Sequence, residues 1–563
     1  MPAVQPVWVP PKSPPSTVHE SLKDYPRAMR QLLYNRGFRT AEEAEFFLHI
    51  EGPSHRSAQD LSGWKPFLKM IREAVAEEQR IMIYGDYDVD GITSAAVLHH
   101  ALQKIGANTE IYLPDRAKEG YGLNIPALEQ IAEDGVSLVI TVDCGIRAVA
   151  EIELAKDLGL KVIITDHHQP GNLLPPADLI INPHLDGPAG DPDLAGVGVA
   201  YKVVELLSKD FPNLNPEDYL ELVALGTVAD VVPLQGENRF LVRQGIRQLR
   251  NTRNQGLFSL IQIAGLEISR LSAADISFQL APRINAAGRL GNARAALDLL
   301  LETDPVRTGF LAQKLEVLNN QRKESTRWVV QAVEQAAEQI DSSVPLLFAA
   351  DPAFDRGVVG IAAGKLARKY HRPTLIGQKL EEVSVFSCRS IPEFDITAAL
   401  NECRDLLLEF GGHSKAAGLK ITNQNLEDFR TRITEIAADK LGDQEIQPRL
   451  QADAFVQLKE LTDRLLAALE LLEPTGERNP RPIFWIENAA LSSIKLVGKD
   501  RSHLKCTVRQ GKLALPGIGF SLGKQADRLA DSVDLLVQFE ENVFRGRTEK
   551  QLIILAIRNS GQI

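Results

Sequence analysis

The strongest constraint on the fold lies between Arg80 and Pro183, where short runs of Val, Ile and Leu alternate with stretches of helical spacing. The apolar runs are RIMIYGD, TEIYLP, SLVITVD, KVIITDHH and ADLIIN. Among them lie SAAVLHHALQKIG, IPALEQIAEDG and AVAEIELAKDLG. Near-continuous apolar strands alternating with helices are the pattern of a parallel sheet covered on both faces, so the segment is predicted to be a doubly wound α/β domain. Ligands of such sheets gather at the carboxyl ends of the strands.

A chain of 563 residues exceeds one core and implies about three or four domains. Residues 1–75 read as a proline-rich tail and helical lead-in, and 76–303 as the catalytic α/β domain. Residues 304–344 read as a connector: Phe310–Val344 holds neither Gly nor Pro, and a continuous helix there would reach about 45 Å. A second, smaller α/β domain is expected over 345–447, with glycine-rich loops placed for backbone contact with a ligand. The remainder, 448–563, has short alternating runs that suit a small, OB-like β-barrel.

Composition narrows the class. Hydrophobic residues at 44% and charged residues at 24% are ordinary for a folded chain. No apolar run approaches the roughly 20 residues needed to span a bilayer, and the start MPAVQPVWVPPKSPP lacks the flanks of a signal peptide, so a cytoplasmic protein is expected. Cys144, Cys388, Cys403 and Cys506 form no C-x-x-C pair and read as buried small hydrophobes. A net charge of −11 argues against nucleic acid only weakly, because metal-bound carboxylates add formal charge that cations cancel and binding needs only a locally basic groove.

The chemistry-bearing residues stand where the sheet would deliver them. In YGDYDVDGITSAA, Asp86, Asp88 and Asp90 alternate after a strand and before a helix. Three such carboxylates repel one another unless a multivalent cation lies among them, whereas a helix cap would need only one. Asp143 in SLVITVDCGI, and Asp166, His167 and His168 in KVIITDHHQP, end two further strands of the same sheet. Asp230 lies in the apolar stretch ALGTVADVVPL, where a carboxylate requires a metal or an arginine partner.

The quartet YGDYDVDG, TVDCG, TDHH and GTVADVVPL, in that order, resembles the DHH phosphoesterase family. The resemblance implies a two-metal site, and mixed carboxylate and imidazole ligands suit Mn²⁺ or Mg²⁺. It places metal ligation on Asp88, Asp90, Asp143, His167 and Asp230, with Asp143 bridging and catalytic. Asp86, Asp166 and His168 stay open between ligand, support and phosphate contact; Asp86 is taken with the ligands and His168 with the catalytic groups. No protein nucleophile is needed, because two cations can stabilise the entering and leaving oxygens of an in-line hydrolysis.

Substrate must be read elsewhere. APRINAAGRLGNAR sets Arg283, Asn285, Arg289 and Arg294 among small residues without an acid, VFSCRS sets Ser387 and Arg389 at a strand end, and FGGHSKAAG sets Gly411, Gly412, His413 and Lys415 at an expected helix start. Arginines beside glycines and free N–H groups suit phosphate recognition, the alternative being glycine turns with ordinary surface arginines. These segments, the connector and the C-terminal extension resemble the RecJ-type exonucleases of the DHH family. That implies hydrolysis of single-stranded DNA from 5′ to 3′, in repair and recombination. It also implies a monomer and, as protein partners, a single-stranded-DNA-binding protein or a helicase. One departure is Thr475 and Arg478 in EPTGERNPRPIF, where the family pattern has Phe and Gly. The C-terminal barrel is expected to bind single strands through Lys505, Arg509, Lys512, Arg545 and Arg547, with Phe520, Phe539 and Phe544 as sparse stacking partners. The rival readings are a hydrolase of small nucleotides, against which the extension argues, and a non-catalytic DNA-binding scaffold, against which the intact acidic motifs argue.

Overall fold

A computed structural model describes residues 5–49, 57–116, 118–187, 191–338, 344–442, 446–498, 500–544 and 547–561. They form two compact units. One comprises the described residues of Gly52–Ile446 with Gly476–Arg478; the other comprises those of Val4–Glu51, Gln447–Thr475 and Asn479–Ile563.

The first unit is built on a five-stranded, all-parallel sheet. Its spatial order is Asn108–Tyr112, Arg80–Gly85, Leu138–Val142, Lys161–Thr165 and Leu179–Ile181. Both faces are covered, which is why the strands read as continuous apolar runs. Ile81, Ile83, Leu138, Ile140 and Ile163 pack into one core, and Met82, Tyr84, Val139, Val162 and Ile164 into another. The strand order reverses between Arg80–Gly85 and Leu138–Val142, so Asp86 and Asp143, the next residues along, flank the switch point where such sheets bind ligands.

The connector is a helix from Pro305 to Glu338, 34 residues and about 51 Å long. Residues 339–343, the last part expected to be helical, lie outside the described residues. Beyond them a mixed five-stranded sheet runs in the order Leu407–His413, Ala416–Thr422, Val383–Arg389, Thr374–Lys379 and Leu347–Asp351, with the helix Arg356–Tyr370 against it. All four cysteines are buried.

The second unit holds a closed five-stranded barrel. Phe484–Val497, His503–Gln510, Leu513–Gly519, Arg547–Asn559 and Val533–Phe544 pair in sequence, and the last strand pairs back onto the first. Residues 5–49, part of the expected tail and helical lead-in, belong with this barrel. Val7–Val9 pairs with Arg449–Gln451, and Leu22, Met29, Leu32 and Leu33 share one core with Leu465, Phe484 and Ile486. The physical reason is amphipathic: the apolar stripe of the helix Arg27–Asn35 has to bury somewhere, and sequence spacing does not reveal against what. Arg558 lies 4.7 Å from each of the Trp8 and Trp485 rings and fastens the N-terminal strand to the barrel. Arg478 takes φ +53°, the left-handed region where the family pattern has glycine, so the departure there costs strain and leaves the turn in place. Arg545 lies outside the described residues.

Candidate metal centre and phosphate pocket

Four chain segments deliver the acids to one place. Asp88 caps the helix Val89–Lys104, its Oδ1 accepting from Gly91 N at 3.1 Å. The cap reading therefore holds for that one residue. Gly91 has to be glycine, since a Cβ there would stand 2.5 Å from the Asp86 backbone. Asp90, fully buried, accepts from Gly196 N at 2.7 Å and Val197 N at 2.8 Å at the start of the helix Gly196–Leu207. Asp143 takes φ +60° directly after its strand. Asp230 ends the helix Leu220–Ala229. Among the described residues no arginine pairs with it.

His167 is set to be a ligand. Its Nδ1 donates to the Leu194 carbonyl at 3.0 Å, which leaves Nε2 without a proton in the neutral ring. Burial holds the ring neutral by lowering its pKa to about 4. Nε2 lies 3.1 Å from Asp143 Oδ1, 3.6 Å from Asp230 Oδ2 and 3.9 Å from Asp90 Oδ2. Three ligand sets result: Asp86, Asp88 and Asp143; Asp90, His167 and Asp230; and Asp143, His167 and His168. Asp86 Oδ1, Asp143 Oδ1 and His167 Nε2 are buried without a hydrogen-bond partner. Orphaned acceptors of this kind fit a cation and little else, because each would otherwise cost on the order of several kcal/mol.

Without a cation the carboxylates take up protons. Burial, reinforced by repulsion from Asp88, pushes Asp86 up to about 8 and Asp90 up to about 7. Asp143 and Asp230 rise for the same two reasons, burial first and then the neighbouring acids. Asp166 behaves differently. Burial alone would raise its pKa, but His168 Nδ1 at 2.7 Å and the backbone N–H groups of Ile146, His167 and His168 hold it below the usual range. Asp166 Oδ1 accepts from three donors and orients His168, while Oδ2 accepts from Ile146 N alone.

Opposite the acids stands a basic wall. A cavity of about 310 Å³ is lined by Asp86, Asp88, Asp143, His168 and Asp230 on one side, and by Arg116, Tyr121, Asn285 and Arg289 on the other. The segment expected to be a loop around Arg289 is a helix, Ala281–Leu290. Asn285 and Arg289 lie one turn apart on its cavity face. Arg283 faces away, buried, with Nε 2.6 Å from Glu316 Oε2 and NH1 donating to the Gln279 carbonyl. Its expected substrate contact is corrected to a structural ion pair. Arg294 is exposed and pairs with Asp298 on its own helix.

Ser387 and Arg389 share one face of their strand, two residues apart. The GGHSKAAG segment is a hairpin, Leu407–His413 with Ala416–Thr422, and not a helix start. Gly411 lies opposite Gly418, itself opposite Ser387, and His413 lies opposite Ala416, itself opposite Arg389. The pairing register thus puts Gly411, Gly412 and His413 at the sheet end that carries Ser387 and Arg389, with Lys415 in the turn. Glycine there serves β-pairing: Gly412 has φ +143°, and a Cβ would stand 2.3 Å from the Ala416 carbonyl.

Arg116 and Tyr121 went unnoticed in the sequence. Both sit in LPDRAKEGYGL, a connection leaving a strand's carboxyl end, and the rule for doubly wound sheets is the signal that could have found them.

Three families of sequence match consecutive parts of the chain: the DHH family N-terminal domain over residues 80–227, the DHHA1 domain over 343–439 and the RecJ OB domain over 452–556. The single-stranded-DNA-specific exonuclease RecJ of Dickeya dadantii is 34% identical over 96% of this chain and 97% of its own length. The chain belongs to the RecJ family. RecJ of Bacillus subtilis is 38% identical over 93% of this chain and 67% of its own length. Thermus thermophilus RecJ in complex with Mn²⁺ superposes with a TM-score of 0.85 at 28% identity, covering 99% of this chain and 80% of that one. Its Mg²⁺ complex gives 0.79 at 27% identity, covering 99% and 79%. Among the described residues no helix is long and apolar enough to cross a membrane.

Proposed function

We propose that this RecJ-family protein is an exonuclease that hydrolyses single-stranded DNA from its 5′ end, holding two divalent ions, Mn²⁺ or Mg²⁺, and serving repair and recombination. The observation that carries the reading is one cavity lined by buried carboxylates, two of which, Asp86 and Asp143, have an unpartnered oxygen, together with Arg116 and Arg289, which pair with no carboxylate among the described residues. The names of the RecJ relatives, and the ions bound to the Thermus enzyme, support it.

Asp86, Asp88 and Asp143 would hold one ion, and Asp90, His167 and Asp230 the other. Bound there, the ions would lower the pKa of the attacking water and stabilise the entering and leaving oxygens. Burial opposes charge on His168, but its hydrogen bond with Asp166 outweighs that and raises its pKa. His168 therefore offers a proton at Nε2 to a phosphate oxygen, with the Tyr121 hydroxyl 3.4 Å from that nitrogen. Arg116, Arg289, Ser387 and Arg389 take the 5′-terminal phosphate, with Asn285 beside the scissile group and the Gly411–Gly412–His413–Lys415 hairpin along the strand. A single-stranded-DNA-binding protein or a helicase would present the strand to a cytoplasmic monomer.

Digestion of end-labelled single- and double-stranded DNA and RNA, with Mn²⁺, Mg²⁺ or a chelator, tests this. The 5′ label of single-stranded DNA should be released as a mononucleotide, duplex should resist, and the chelator should abolish activity. Release from the 3′ end, or cleavage that survives chelation, overturns the reading.

A further inference from the structure

The helix Arg356–Tyr370 runs past the arginines like a ruler. A Cβ on Gly357 would meet the Arg289 carbonyl at 2.3 Å, and one on Gly360 would lie 3.3 Å from both Ser387 Oγ and Arg389 NH2. One on Gly364 would lie 3.8 Å from Arg389 Cγ and 4.0 Å from Arg368 NH1. Eleven residues from Gly357 to Arg368 correspond to about 16 Å of helix. The cations therefore stand in linear order: Arg289 at the metal cavity, Ser387 and Arg389 next, Arg368 with Lys365 farthest out.

A terminal phosphate one nucleotide from the scissile group falls at the middle of that order, and the outermost cations lie beyond its reach. They also lack partners. Among the described residues no carboxylate pairs with Arg322, Lys365 or Arg368. Arg322 NH2 donates to Asn319 Oδ1 at 2.9 Å, while its Nε is buried with no partner. Burial, and then Arg322, Arg327 and Arg368, hold the Lys365 ammonium below its ordinary value. Lys365 and Arg368 stand exposed about one turn apart on the helix, open to an anion with no carboxylate competing for them.

We propose that Lys365 and Arg368 form a second phosphoryl subsite, one step beyond the 5′-terminal phosphate, which rests on the placement of that phosphate at Arg289, Ser387 and Arg389. Its ligand is the outer phosphate of a polyphosphorylated 5′ end or the phosphodiester of one additional nucleotide.

Binding is measured on the full chain carrying Asp143→Ala, with short single strands ending in 5′-hydroxyl, 5′-monophosphate or 5′-triphosphate. First products are measured on the chain with Asp143 intact. The triphosphate end should bind about tenfold tighter than the monophosphate, the worth of roughly one charged hydrogen bond. Replacing Lys365→Ala and Arg368→Ala together should erase that advantage while the preference for monophosphate over hydroxyl persists. Dinucleotide among the first products, lost in the same double variant, would assign the subsite to an additional nucleotide. A chain indifferent to hydroxyl against monophosphate overturns the terminal-phosphate placement and this subsite with it. A chain that discriminates those two ends, ignores the triphosphate and releases mononucleotide alone overturns the subsite only.

Discussion

The two walls of the cavity solve opposite problems in the same way. On the sheet edge, Asp86, Asp90, Asp143 and Asp230 crowd until burial and mutual repulsion drive their pKa values up. On the facing helices, burial followed by repulsion from Arg116 and Arg322 brings Arg289 down to about 10. Neither wall neutralises the other: none of these acids forms an ion pair with an arginine among the described residues. Each is left without a counter-charge from the other, the acids raised toward their protonated forms and Arg289 made less basic. The lesson is that net charge was a poor guide, because −11 overall coexists with a locally basic wall.

The sharpest way to break the comparison is at the acidic wall. Asp143→Ala should lower turnover by roughly 10³-fold or more under saturating Mn²⁺ while single-strand binding, measured by anisotropy, stays largely intact. Near-normal turnover would mean the acids do not organise the chemistry.

Thermal unfolding comes next. In metal-free protein Asp86 and Asp90 have folded pKa values of about 8 and 7, above an unfolded value of about 3.9. Groups raised in this sense favour the fold fully below the unfolded pKa, and that contribution is lost as pH rises through the folded pKa. The metal-free Tm should therefore fall between about pH 4 and pH 8, and Mn²⁺ should remove the fall, because it binds the ionised carboxylates. A flat metal-free profile would show that the acids are not strained.

At the basic wall the effect should be smaller and of a different kind. Arg289→Ala or Arg389→Ala should raise KM by about 10-fold to 100-fold, with metal affinity unchanged, as expected for a lost charged hydrogen bond. A variant that loses only metal affinity would place these arginines with the acids instead.

The smallest effect belongs to the barrel, whose DNA role is a proposal. Changing Lys505, Arg509 and Lys512 to Ala should flatten the salt dependence of binding to long strands by up to about 0.7 in slope per lost phosphate contact, and spare very short ones. Unchanged slopes would reduce the barrel to a structural part. Deleting residues 448–563 alone is the wrong test, since Leu22, Met29, Leu32 and Leu33 would lose their core. Residues 1–51 have to be removed with them.

Much of this was legible in the chain because its causes are local. Strand runs apolar on both faces declared a covered parallel sheet, and acids at three strand ends declared which carboxylates meet at one sheet edge, since period and polarity are properties of a few neighbouring residues. A long stretch without Gly or Pro declared the connecting helix. What tertiary structure decided were questions of facing and partner. Arg283 and Arg289 look alike in sequence, yet helical phase turns one onto Glu316 and the other into the cavity. Asp166 and Asp143 both end strands, yet both oxygens of Asp166 find donors, whereas Asp143 keeps an orphaned oxygen. The GGHSKAAG glycines promised an anion-binding helix start and became a hairpin, whose second strand, Ala416–Thr422, pairs with a strand some thirty residues earlier, Val383–Arg389. The helices of residues 16–48 found their core more than 400 residues away in the barrel. The sequence by itself determined which residues can do the chemistry, since ionisation and hydrogen bonding reside in the side chains. Only the fold decided which of them are left unsatisfied, because satisfaction depends on neighbours brought from distant parts of the chain.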